Sequence, residues 1–166
     1  GAMARFFIYN KVMDIFGGRI RFMISGAAPK SPDIIHYFNW MGIDVYEGYG
    51  MTETAGVISA NRPGKVKIGS VGQALPDTQI KIAEDGEICV KAPQNISGYY
   101  KNKEATDELL HPGKNGELWL HTGDVGYLDE EGFLFITDRK KDILITAGGK
   151  NVAPQNIENL LKTSPY

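Results

Sequence analysis

Tyr46-Glu47-Gly48-Tyr49-Gly50-Met51-Thr52-Glu53 sets an aromatic ring, a hydroxyl and a carboxylate within a few residues of one another, on a backbone that carries two glycines. Gly48 and Gly50 lack a Cβ, so the chain there can adopt positive φ and approach a ligand closely, leaving Tyr49 to stack on a purine. Thr52 can donate to a phosphoryl oxygen, and Glu53 offers the hard oxygen that Mg2+ prefers. The same letters also describe a strand that ends in a glycine turn and a solvated glutamate. The stretch alone leaves both readings open.

Upstream, the chain reads as α/β. Ala4 to Phe16 places Phe7, Val12, Ile15 and Phe16 near one face of a helix that Gly17-Gly18 ends. Ile20, Phe22 and Ile24 then alternate with Arg19, Arg21 and Met23, as in a strand, and deliver Ser25-Gly26-Ala27-Ala28 to a turn. Ser31 as N-cap and Pro32 at the first helical position open a second helix with Ile34, Ile35, Phe38 and Met41 on its apolar face, and Gly42 closes it. A short strand from Ile43 to Tyr46 follows. Strand, turn, helix, strand is the βαβ pattern of a parallel sheet, whose ligands gather beyond the carboxyl ends of the strands. Gly26-Ala27-Ala28 and Gly48-Tyr49-Gly50 both fall there, so one pocket can draw on two distant segments.

Downstream, between about Arg62 and Thr137, the hydrophobic period changes to two. Gln79-Ile80-Lys81-Ile82 and Glu87-Ile88-Cys89-Val90 flank Glu84-Asp85-Gly86 as one hairpin; Val125 to Leu128 and Phe133 to Ile136 flank residues 129–132 as another. Leu118-Trp119-Leu120 supplies a further strand. A small distorted β-barrel is the expected architecture. A last zone, 138–166, carries a helix predicted from Pro154, with Ile157, Leu160 and Leu161 on one side. The expected organisation is thus an α/β part over 4–61, a β-barrel over 62–137 and the start of a further domain over 138–166. Gly1-Ala2-Met3 reads as a protease scar left by expression.

Composition narrows the function classes. The 166 residues carry a net charge of -2, and the lysines are scattered, so nothing favours a nucleic-acid partner. Apolar runs such as Phe133-Leu134-Phe135-Ile136 are far shorter than a membrane span requires. The single Cys89 alternates with apolar neighbours as a small buried hydrophobe, and one cysteine forms no intrachain disulfide, which fits a reducing cytosol. His36, His111 and His121 have no metal-ligand spacing and read as structural or exposed.

Ser25-Gly26-Ala27-Ala28-Pro29, the Tyr46 to Glu53 stretch, Thr122-Gly123-Asp124 and Asp138-Arg139-Lys140-Lys141-Asp142 occur in that order. Together they resemble the adenylate-forming, AMP-binding superfamily of acyl-CoA synthetases, luciferases and peptide-synthetase adenylation domains. Within it, Ile96-Ser97-Gly98-Tyr99-Tyr100-Lys101-Asn102 and Thr146 to Pro154 are most similar to long-chain fatty-acid CoA ligases. The resemblance implies an α/β fold plus a β-barrel at the end of a large domain, followed by the start of a small lid.

It also implies roles, each beside a plainer local reading. Gly26, Ala27 and Ala28 would let a purine lie against backbone, where the local reading is a tight strand-to-helix turn. The segment Glu47, Gly48, Tyr49, Gly50, Met51 and Thr52 would line the nucleotide, with Thr52 and Glu53 catalytic and Glu53 the Mg2+ ligand. Asp124, otherwise a turn aspartate, would accept from the ribose hydroxyls, and Arg139, otherwise a solvated surface residue, would reach the ribose as well. Lys141 matches the hinge position of the lid. Gly148-Gly149 would admit the pantetheine arm of coenzyme A, and could equally be a simple hairpin turn.

The chemistry so implied joins a fatty carboxylate to ATP, giving acyl-AMP and pyrophosphate, and then passes the acyl group to coenzyme A. No Ser/Thr/Gly-rich triphosphate loop lies upstream, and Lys162 is too early for the late catalytic lysine of a complete lid. The expectation is a cytoplasmic ligase fragment, inactive alone, prone to self-association, with peripheral membrane association left open. A fatty acyl-AMP ligase, another adenylating enzyme or a noncatalytic nucleotide-binding module are the alternatives.

Overall fold

Alternating apolar residues and a Ser-Pro helix start build the first half of the chain. The computed structural model describes residues 2–27, 31–145, 151, 152, 154 and 161. Helix α1 (Ala2–Ile15) takes in two residues of the presumed scar, and Gly17 and Gly18, both at positive φ, end it with a bond from the Gly18 N–H to the Met13 carbonyl. Strand β1 (Phe22–Ser25), helix α2 (Pro32–Trp40) and strand β2 (Asp44–Met51) follow. β1 and β2 pair in parallel, Ser25 opposite Glu47, so the βαβ expectation holds. On α2, Ile35 is buried and Ile34 half-exposed.

Two expectations about packing need correction. Ile15 of α1 is 80% exposed and Ile24 of β1 is 76% exposed, with Phe16 and Phe22 also uncovered. The periodicity located both elements, yet these side chains stay largely open to solvent, with the Tyr46 ring 5.7 Å from that of Phe22. β2 also runs well past Tyr46, to Met51, and after it the sheet turns antiparallel: β3 (Gly56–Ala60) pairs with β2, and β4 (Gln73–Ala74) with β3.

The second half is antiparallel. β5 (Gln79–Ile82) and β6 (Glu87–Lys91) form the expected hairpin. After α3 (Lys103–Leu109) come β7 (Leu110–Pro112), β8 (Leu118–Leu128) and β9 (Leu134–Arg139). The sheet order is β5-β6-β8-β7, with β9 added on β8, an open path rather than a closed barrel among the described residues. Leu118-Leu120 and Val125-Leu128, expected as separate strands, are one strand with a register shift at Val125/Gly126.

The two sheets share a core of Ile58, Ile88, Val90 and Leu134, and Leu134 exchanges backbone bonds with Val71 and Gly72. Full burial of such side chains contributes ~1.5–3 kcal/mol each, enough to fix β3, β6 and β9 against one another. Last, β10 (Leu144–Ile145) and β11 (Asn151–Val152) pair antiparallel. The helix expected from Pro154 falls almost wholly outside the described residues. No described helix is long and apolar enough to cross a membrane.

Candidate nucleotide site

Three residues from three strands meet at one carboxylate. Tyr49 on β2 packs its ring against the shared core and donates its hydroxyl to Asp124 Oδ2 at 2.5 Å. Burial, and then the bond to Asp124, push the Tyr49 phenol well above its ordinary range. Asp124 on β8 lies directly across the ladder from Arg139 on β9, and Arg139 Nε sits 3.3 Å from Asp124 Oδ1. Both oxygens of a nearly buried carboxylate are thereby engaged, while the Arg139 side chain is 72% exposed. The result is a fixed acceptor at the sheet surface beside a solvent-exposed cation.

The glycine segments lie side by side, for a reason other than the one expected. A Cβ on Gly26 would stand 3.5 Å from the Gly48 carbonyl, which places the end of β1 against the middle of β2. Ala27 adopts φ 65, a left-handed conformation costly for a residue with a Cβ; Ala28 lies outside the described residues. Neither Gly48 nor Gly50 is at positive φ, contrary to expectation. Both are strand residues. At Gly50 a Cβ would fall 1.9 Å from the Gly56 oxygen, where the β2–β3 register shifts between Tyr49 and Gly50. That glycine serves the approach of two strands.

Beyond Met51 the chain makes a 3-10 turn over Thr52–Thr54. Thr54 is fully buried, and its hydroxyl lies within hydrogen-bond distance of the Met51 N–H and of the Met51 and Gly56 carbonyls. It holds the turn so that Thr52 stays exposed and Glu53 leans toward the 96–99 loop. There Glu53 accepts the Tyr99 hydroxyl at Oε1, 2.7 Å, and the Ile96 N–H at its carbonyl. The bond to Glu53 raises the Tyr99 phenol. Thr54 and Tyr99 escaped the sequence reading; Tyr99 stands inside the Ile96 to Asn102 wording that carried the resemblance.

By its place in the sequence, Glu87 is simply the first residue of a hairpin strand. It is 6% exposed. Its Oε1 accepts the Gly123 N–H and its Oε2 accepts His121 Nδ1 and Lys140 Nζ, all at 2.9 Å. Burial pushes this carboxyl up, but the bonds from His121, Lys140 and Gly123 more than offset it and hold it below the ordinary glutamate value. Lys140, which also pairs with Asp85 at 2.6 Å, is raised by those two carboxylates. Cys89 is fully buried, and burial lifts its thiol to about 11.

The structure therefore brings together Tyr49, Asp124 and Arg139, places Gly26 and Ala27 beside Gly48, and sets Thr52 and Glu53 at the end of β2. Glu47 is buried in β2, opposite Ser25. Lys141 is exposed just after β9. Gly148 and Gly149 lie outside the described residues. No cluster of three or more His, Cys, Asp or Glu among the described residues could hold a metal, so Glu53 is a single carboxylate donor.

Residues 5–100 match the family described as AMP-binding enzyme. The chain belongs to that family. Among curated members, it is 42% identical over 158 residues to long-chain-fatty-acid–CoA ligase FadD15 of Mycobacterium tuberculosis, covering 95% of this chain and 26% of that protein. It is 40% identical to long-chain-fatty-acid–CoA ligase 6 of Rattus norvegicus, covering 92% of this chain and 23% of that one. The chain thus spans about a quarter of the length of the curated relatives it matches. Among solved structures, O-succinylbenzoate coenzyme A synthetase (MenE) from Bacillus subtilis in complex with ATP and magnesium ion superposes with a TM-score of 0.77 at 36% identity, over 88% of this chain and 32% of that one. The AMP complex of the same enzyme gives 0.76 at 36% identity, over 88% and 31%.

Proposed function

We propose that this AMP-binding chain is the nucleotide-side portion of a long-chain fatty-acid CoA ligase, with residues 4–61 ending its large domain, 62–137 forming a barrel-like part and 138–166 beginning its lid. The observation that carries the reading is the meeting of Tyr49, Asp124 and Arg139 at the sheet surface. Asp124, held by the Tyr49 hydroxyl, presents acceptor oxygens to ribose hydroxyls, and exposed Arg139 closes the far side. The purine lies along Gly26, Ala27 and Gly48, whose own side chains are no larger than a methyl group. Thr52, exposed at the turn, donates to the α-phosphate.

Glu53 suits Mg2+ of the kind that keeps one or two carboxylates and completes its shell with phosphate oxygens and water. Tyr99 donates to Oε1 and orients the Glu53 carboxylate, which would hold the ion. When bound there, the ion offsets the repulsion between carboxylate and triphosphate. Asp124 and Arg139 hold the nucleotide while Thr52 steers the α-phosphate, and a rotation about Lys141 then brings in coenzyme A along Gly148-Gly149. The uncovered apolar residues of α1 and β1 suit packing by further large-domain structure, and would favour self-association of the isolated chain. The setting is cytoplasmic, with the enzyme free or peripheral to a membrane.

The test is product analysis of the full-length ligase with ATP, palmitate and coenzyme A. Acyl-CoA and AMP in the wild type, both strongly reduced in Asp124→Asn, are the expected result; acyl-AMP without acyl-CoA would reassign it to the acyl-AMP ligases. The 166-residue chain alone is expected to release no pyrophosphate.

A further inference from the structure

Gly123 and Lys140 flank the two members of the Asp124–Arg139 pair, one just before Asp124 and the other just after Arg139. They are tied to each other, since the Lys140 N–H donates to the Gly123 carbonyl at 2.8 Å. Both are also tied to one buried side chain, Glu87 on β6, through the Gly123 N–H at Oε1 and Lys140 Nζ at Oε2. Gly123 itself is at φ 72, a left-handed kink inside a strand, which a carboxylate bonded to its N–H holds in place. Lys140 is further braced by Asp85 on the β5–β6 turn, and His121 adds a third donor to Glu87 from the same strand as Asp124.

From this geometry we infer that Glu87 is a positioning residue for nucleotide selection. It holds the Gly123 backbone on one side of the Asp124–Arg139 pair and the Lys140 side chain on the other, so that the acceptor and the cation meet the sugar at a fixed separation. The inference rests on the reading that this pair holds the ribose. Glu87 is buried, with its carboxylate bonded to protein donors rather than open to a ligand. Its effect should therefore appear as lost discrimination for ribose hydroxyls, a signature that a loss of fold stability would not produce.

The experiment compares ATP with its 2′-deoxy and 3′-deoxy analogues in acyl-adenylate formation by the full-length ligase, as kcat/KM. The wild type is expected to prefer ATP, and Asp124→Asn to lose that preference. Glu87→Gln keeps an acceptor for Gly123 but removes one of the two carboxylate charges that hold Lys140, leaving Asp85. It should reduce the preference about fivefold, the worth of roughly one displaced hydrogen bond, mainly through the KM for ATP. An equal fall for ATP and the deoxy analogues, or full preference retained in Glu87→Gln, overturns the inference and leaves the ribose reading standing. No preference in the wild type overturns the ribose reading and this inference with it. If Glu87→Gln does not fold, Lys140→Met probes the same clamp from its half-exposed end, and undiminished preference there overturns the inference too.

Discussion

Replacing Gly50 by alanine separates a structural glycine from a ligand-facing one. The new Cβ would sit 1.9 Å from the Gly56 oxygen, 2.6 Å from its carbonyl carbon and 2.8 Å from Val57 Cα, where real Cβ atoms stay beyond 3.0 Å. β3 must therefore retreat by about 1.1 Å, the difference between 3.0 and 1.9 Å, and all three obstacles are backbone. That shift breaks the ladder where Gly50 opposes Val57 and Met51 opposes Gly56. Overpacking costs about 1–3 kcal/mol and each lost backbone bond ~0.5–1.5 kcal/mol, against ~0.4–1 kcal/mol recovered from a stiffer unfolded chain. The net destabilisation is about 3 kcal/mol, or ~6–12 °C in Tm for a chain of this size. Urea unfolding followed by the fluorescence of Trp40 and Trp119 measures it directly. A change under ~0.5 kcal/mol would refute the reasoning, because β2 and β3 would then tolerate a side chain between them.

The same substitution at Gly26 should behave in the opposite way. Among the described residues its Cβ meets only the Gly48 oxygen at 3.5 Å, an ordinary contact, and its φ is not positive, so Tm should stay within about 2 °C while ATP affinity of the full-length ligase falls at least tenfold. Calorimetric titration with ATP reads the second quantity, and unchanged affinity would remove Gly26 from the purine face. A third expectation concerns acid. Because the Glu87 carboxyl is held below its ordinary value in the folded chain, its contribution is complete above the usual glutamate range and is lost as pH falls through the lowered value. Glu87→Gln should thus be less stable than wild type at neutral pH, with the gap in Tm narrowing on acidification. A gap that is constant with pH would show that the carboxylate charge is not what stabilises this junction.

Local signals were legible where one segment contained the whole cause. The β5–β6 hairpin follows from period-two alternation around Asp85-Gly86, and α2 from Ser31-Pro32 at one end and Gly42 at the other. β8 was not legible as one strand, because Gly123 introduces a left-handed kink that reads as a turn, while the pairing with β6 resumes past it at Val125 and that with β9 begins at Asp124. The apolar stripes of α1 and β1 were visible, but a stripe says nothing about whether a partner is present to cover it. Long-range site geometry was the least accessible. Tyr49 and Asp124 are 75 positions apart, and only the order of the motifs suggested that they meet. Glu87 lies 34 to 53 positions from the donors of its side-chain bonds, and its local spacing marks it as nothing more than a strand residue.

The most direct test of the nucleotide site is a crystal structure of the full-length ligase with AMP bound. The geometry around Asp124 predicts ribose hydroxyls within hydrogen-bond distance of its carboxylate, Arg139 on the far side, and the purine against Gly26 and Gly48. AMP bound elsewhere, with Tyr49, Asp124 and Arg139 touching no part of it, would contradict the assignment.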